Sequence, residues 1–161
     1  MSEILRLLSG DGALSIGSVD GKKTIASVEH NIVWYVNEDF KESEINVPSR
    51  PTPRTPVNVF EIVASADFAK IFGALGRELH ALALTQHQIV EFVQSHPSWL
   101  SEEKGYGTFF LFQVSDRFFV ASVFYCSKRE LGVLLQPFKK SDVWEVDEWY
   151  KACRRLVVPV A

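Results

Sequence analysis

From Thr108 to Val114, and again from Arg117 to Tyr125, apolar residues fill both odd and even positions, with a polar break at Ser115-Asp116. In an extended chain Phe109 and Leu111 point to one face, and Phe110, Phe112 and Val114 to the other. Strands with two apolar faces need cover on both, so this pair predicts the middle of a sheet sandwiched between layers, with helices on at least one side. An aromatic platform that stacks bases needs rings on one exposed face with basic residues among them. Only Arg117, at the turn, is basic here. Leu131, Val133 and Leu135 predict a third strand closed by Pro137, and "LVVPV", from Leu156, predicts an edge or closing strand. Between them "SDVWEVDEWYKACRR" predicts a helix, with Asp142 and Glu145 as a capping pair.

The first half of the chain reads differently. "SGDG" (Ser9 to Gly12) and "VDGK" (Val19 to Lys22) contain Asp-Gly, the pair that suits tight hairpin turns. They predict an N-terminal β meander within residues 1–47, with strands near 3–8, 13–19 and 22–28, and "NIVWYV" (Asn31 to Val36) as a fourth strand or edge. Pro48, Pro51, Pro53 and Pro56 then make residues 48–56 a connector that excludes helix and central strand. Its two PxxP spacings, near Arg50 and Arg54, match the ligand of an aromatic groove, but a stiff link is the simpler reading. Residues 57–100 predict two or three helices. Val59, Ile62, Val63, Phe68, Ile71 and Phe72 recur at three-to-four spacing, and Asp67 is a candidate N-cap. Thr85 and Gln88 form a capping box, Ile89, Phe92 and Val93 form the buried stripe, and His96-Pro97 ends the helix. The expected fold is one α+β domain: N-terminal β meander, Pro-rich connector, helices, and a C-terminal antiparallel sheet over residues 101–161.

Composition narrows the class without naming a function. A chain of 161 residues with 47% apolar and 23% charged residues can bury its own core, which argues against a disordered, collagen-like or coiled-coil chain. A net charge of −3 gives no overall field attracting phosphate backbones or anionic lipid. Residues 1–47 carry eight acidic and four basic side chains, whereas residues 101–161 carry eight and nine, so an anion-binding patch is expected in the last third. No apolar run approaches the ~18 residues of a membrane span, and the N-terminus lacks a signal peptide's basic start and apolar middle. The reading is a cytoplasmic protein. Cys126 and Cys153, without a CxxC, are expected to be reduced and structural.

Several segments together carry a resemblance. They are Thr55-Pro56-Val57, Phe72-Gly73, "LTQ.QI" (Leu84 to Ile89), Trp99-Leu100, "GYGTFFLF" (Gly105 to Phe112), "FFVASV" (Phe118 to Val123), Val143-Trp144 and "VVP" (Val157 to Pro159). On these the chain resembles a family of short hypothetical proteins, found mostly in candidate-phyla bacteria, to which no activity is assigned. The resemblance spans most of the chain and implies a bacterial protein that shares the family's fold, with no particular chemistry. It departs at the end: the family closes with a short basic tail containing a histidine, and "EVDEWYKACRRLVVPV" is longer and has none.

No reactive constellation stands out. His80, His87 and Glu91 are spaced by seven and four, which on one continuous helix would gather two imidazoles and a carboxylate fit for zinc or iron. The N-cap signal at Thr85 breaks that helix, so no metal is expected and the three read as helix-surface residues; His30, in a turn, and His96, before a proline, read as having no chemical role. No GxSxG, phosphate loop or GxGxxG is present, and no cofactor is expected. Asp142, Glu145, Asp147 and Glu148 beside Trp144 and Trp149 match either a solvated helix face or the acids of a small metal- or carboxylate-dependent hydrolase. Lys139, Lys140, Lys151, Arg154 and Arg155 form a basic set that would bind nucleic acid if it converged. The function expected is therefore a non-catalytic protein-interaction module, with an unknown protein partner and binding residues among that basic set, Trp144 and Trp149. An exposed patch around Trp34, Tyr35, Trp144 or Trp149 would mark the partner's surface. Nucleic-acid binding is the alternative and the hydrolase the second.

Overall fold

In the computed structural model, which describes residues 4–29, 35–103, 106–127, 130–139 and 154–161, the doubly apolar segments pair at the centre of one eight-stranded sheet. The strands are β1 (Leu5–Leu7), β2 (Leu14–Ile16), β3 (Tyr35–Val36), β4 (Thr55–Ile62), β5 (Thr108–Val114), β6 (Arg117–Tyr125), β7 (Leu131–Pro137) and β8 (Arg155–Pro159). The helices are α1 (Phe68–Gly73), α2 (Leu79–Leu82) and α3 (Gln86–Ser95), and 3-10 turns lie at Ala26–Val28 and Glu38–Lys41, ahead of β4, and at Pro97–Trp99, after α3. Strand order is β1-β4-β8-β5-β6-β7-β3, with β2 also on β4. The sheet is mixed, because β5–β8 and β3–β7 run parallel and the other pairs antiparallel.

Alternation sorts the core onto two faces. Val57, Phe110, Phe112, Phe119 and Val157 pack with Ile89, Phe92 and Val93 of α3 and with Phe40. Phe109, Leu111, Val120 and Leu156 pack on the opposite face with Phe68, Ile71 and Phe72 of α1 and with Leu82. Phe112 stacks between Phe40 and Phe119 at centroid separations of 6.1 and 5.6 Å, and Phe68 meets Phe109 edge-on at 5.3 Å. Each such ring, taken from water, contributes about 2 kcal/mol, so the expected sandwich is where most of the stabilisation lies. The helix ends follow their capping signals. Thr85 Oγ1 accepts the Gln88 N–H at 3.1 Å while Gln88 Oε1 accepts the Thr85 N–H at 2.9 Å, Asp67 accepts from Lys70 N at 2.9 Å, and α3 stops before His96-Pro97.

Several expectations give way. The N-terminal meander does not form: β1 and β2 lie end to end along one edge of β4, Leu5 opposite Ile62 and Leu14 opposite Val57. Asn58 accounts for this, donating to Asp11 Oδ1 at 2.8 Å and accepting the Gly12 N–H at 2.9 Å, so the Asp-Gly loop is tied to β4 instead of folding β2 back on β1. The third meander strand is replaced by a turn in which the Ser27 hydroxyl accepts from Thr24 N at 3.0 Å and donates to Thr24 O at 2.7 Å. Residues 57–62 are strand and not helix, with Val57 and Val59 on one face and Ile62 on the other, and the connector ends early because Pro56 already lies in β4 opposite Ser15. Pro56 is tolerated near the strand's start, and its carbonyl accepts from Val160 N at 2.9 Å. Lastly, β8 is no edge. It runs between β4 and β5 with Leu156, Val157 and Val158 buried, so one mixed sheet replaces a separate antiparallel C-terminal one. The helix expected from Ser141 lies outside the described residues up to 153, and Arg155 opens β8. Among the described residues no helix is long and apolar enough to cross a membrane.

Candidate functional site

The first turn of α3 is polar yet buried, and buried polar groups are tolerated only when bonded. Gln86 Oε1 accepts the Ile25 N–H at 3.0 Å and its Nε2 donates to Ile45 O at 2.7 Å. His87 Nδ1 accepts the Gly21 N–H at 3.0 Å and lies 3.5 Å from Lys23 N, an arrangement that places the ring proton on Nε2. Gln88 Nε2 donates to Thr55 Oγ1 at 3.0 Å. Three consecutive side chains thus pin the irregular segments that precede the Pro-rich stretch, and Thr55 at the start of β4, to one helix end.

Gly21 completes the clamp. Its φ is +82°, and a Cβ there would lie 2.3 Å from Ser49 O and 2.4 Å from Arg50 O. Only glycine allows that approach, which lets Ser49 N donate to Gly21 O at 2.9 Å and fixes the Ser49-Arg50 backbone. Beside it, the Lys22 N–H donated to Asp20 Oδ1 at 2.9 Å holds the Asp20 carboxyl below its ordinary range, helped by the charges of Lys22 and Lys23.

The clamp leaves an open cleft of about 510 Å³ where residues 47–50, residues 80–88 and residues 112–115 meet. Leu84, Phe112 and Val114 give it an apolar side; Arg50, His80 and Gln113 bring the groups that carry charge or hydrogen bonds. Among its described lining residues there is no carboxylate, although Glu78 Oε2 lies 3.3 Å from His80 Nδ1. Ser115, at the cleft rim in the β5–β6 turn, is the described non-glycine residue with positive φ, at 54°. Ser115→Gly is expected to raise stability by about 1 kcal/mol by relieving that backbone, and a urea denaturation midpoint compared with wild type checks it.

Most sequence-selected residues lie elsewhere. The basic set does not converge within the described residues. Arg155 Nη1 donates to Trp99 O at 2.9 Å and to Leu100 O at 3.3 Å, closing the turn after α3, while Arg154 lies over the Tyr106 ring at 4.7 Å. Lys139 follows Pro137, which pairs with Phe119 and through it with Phe112, whereas Arg155 pairs with Thr108. Four residues along the strands and three strand spacings, roughly 13 Å by 14 Å, therefore separate Pro137 from Arg155, and Lys139 lies two residues beyond Pro137, because closeness in sequence did not carry over to the sheet. Lys139 borders a second cleft, of about 400 Å³, with Asp116, Arg117 and Phe118. Lys140, Lys151, Trp144, Trp149, Trp34, His30 and the acids from Asp142 to Glu148 lie outside the described residues. Tyr35 is exposed at 38%.

The histidine set also separates. α2 ends at Leu82 and α3 starts at Gln86, so His80 is exposed while His87 is buried against Gly21; Glu91 accepts a hydrogen bond from Ser95 at 3.1 Å. Gly21, Arg50, Gln86, Gln113 and Ser115 escaped the sequence reading as site residues. The visible signal was three polar residues between Leu84 and Ile89, a polar patch at the head of an apolar helix. No family model, curated protein or solved structure matches the chain.

Proposed function

We propose that this chain is a cytoplasmic, non-catalytic interaction module that holds a protein partner at the cleft between residues 47–50, 80–88 and 112–115. The observation that carries the reading is how the cleft's polar groups are used. Gln86 and Gln88 spend their hydrogen bonds on the protein's own loops, and the Thr85 hydroxyl on its own cap, which makes a rigid wall. Among the described lining residues no hydroxyl is bonded to the imidazole of His80, the pairing that nucleophilic catalysis needs. Nucleic-acid binding through Lys139, Arg154 and Arg155 has less support, since the two arginines are engaged internally and the lysine is distant.

The test is Gln113→Trp, which places a large ring at the rim from an exposed strand position without touching the core. Wild type and variant, expressed alike and matched in thermal midpoint, are compared by native mass spectrometry and affinity capture. A species retained by wild type and lost by the variant is expected. Identical retention by both would contradict the reading.

A further inference from the structure

We infer that the cleft takes an anionic group, a carboxylate or a phosphate, against the guanidinium of Arg50, with the ligand's apolar body against the accessible side chains of Val47 and Val114. This deepens the interaction-module reading and rests on it. Arg6 pairs with Glu61, and Arg54 donates to Ser15 Oγ at 2.8 Å. Arg77 donates to Pro159 O at 2.7 Å and to Ala81 O at 3.1 Å. Arg117 lies over the Phe119 ring at 4.9 Å, Arg154 lies over Tyr106, and Arg155 binds the Trp99 and Leu100 carbonyls. Arg50 differs: among the described residues its side chain makes no hydrogen bond or ion pair, and it lines the larger cleft.

Position and charge reinforce this. The backbone carrying Arg50 is fixed by the Gly21 contact, so the base of the side chain is held at the cleft while its five N–H donors stay available. The chain carries 20 acidic against 17 basic residues, yet the cleft's described lining holds Arg50 and His80 and no carboxylate. His80 is the second cation when protonated, and Glu78, 3.3 Å from it and outside the lining, competes for that charge, which leaves Arg50 as the principal anion partner. A guanidinium binds carboxylate or phosphate through paired, charge-assisted hydrogen bonds. The cleft's volume is that of a pocket for a small ligand or a few side chains.

The experiment is calorimetric titration of the full chain, at low and at physiological salt, with inorganic phosphate, succinate, a tetraglutamate peptide and a tetraglutamine control, each repeated as a thermal-midpoint shift. Binding of at least one anion and not of tetraglutamine is expected, weakened about tenfold in Arg50→Ala and unchanged in Arg54→Ala, whose guanidinium is outside the cleft. Tighter tetraglutamate than succinate or phosphate identifies an acidic segment of a protein as the source; the reverse order identifies a free small anion. Absence of anion binding in both readouts, or equal binding by wild type and Arg50→Ala, overturns the inference. If Gln113→Trp still loses a species that wild type retains, only the anion assignment fails; if it loses none, the module reading fails with it.

Discussion

Gly21→Ala is expected to destabilise the protein by about 3 kcal/mol, lowering the thermal midpoint by roughly 10 °C. Two costs add. The residue sits at φ +82°, where a side chain is strained, and the new Cβ would stand 2.3 to 2.4 Å from the carbonyl oxygens of Ser49 and Arg50, which are backbone atoms without a rotamer to yield. The strand-like pairing of Val19 with Thr52 and the Ser49 N to Gly21 O bond would shift together, moving Arg50 away from the cleft. The loss is therefore expected in stability and in cleft binding at once. Urea denaturation measures the first and the anion titration the second. A variant as stable as wild type would mean that the clamp between residues 19–23 and 49–50 is absent in solution.

Gln86→Ala is expected to cost about 3 kcal/mol, more than its side-chain volume explains. The reason is what stays behind: the Ile25 N–H and the Ile45 carbonyl would lose their partner inside a region where Ile25, Ile45 and Gln86 are all buried. Gln86→Leu separates the causes, because it fills most of the space and restores neither bond. Equal losses in the two variants assign the effect to the unpaired backbone groups, and recovery in Gln86→Leu would assign it to the cavity.

These two positions also mark the boundary of what the sequence makes legible. Residues 108–125 announce themselves as central strands because Phe109 and Leu111 on one side, and Phe110 and Phe112 on the other, both demand cover, and the structure supplies α1 and α3. Thr85 with Gln88 is equally readable, since both bonds of a capping box span three residues. β4 was hidden because Val59, Ile62 and Val63 fit a helical spacing as well as a strand, and the partner that decides, β8, pairs Val57 with Pro159 across most of the chain. For the same reason β8 read as an edge.

The site was less legible than the fold. Gln86 and His87 bond to backbone groups 41 to 66 residues away, and a backbone N–H carries no sequence signature. Arg50 looked like an ornament of a proline-rich link until the Gly21 contact fixed where that link runs. Lys139, Arg154 and Arg155 showed the opposite error: a basic cluster in the sequence became, on a sheet, one lysine at one end and two arginines at the other, turned to separate tasks.

On the proposed function, the cleft and not the basic C-terminal third meets the partner. The most direct measurement is photo-crosslinking inside living cells from benzoylphenylalanine placed at His80, an exposed residue of the cleft, and in a second strain at Lys139, beside the other pocket. A discrete adduct is expected from position 80 that disappears when Arg50→Ala is added, with none from position 139. Adducts from position 139 alone would contradict it.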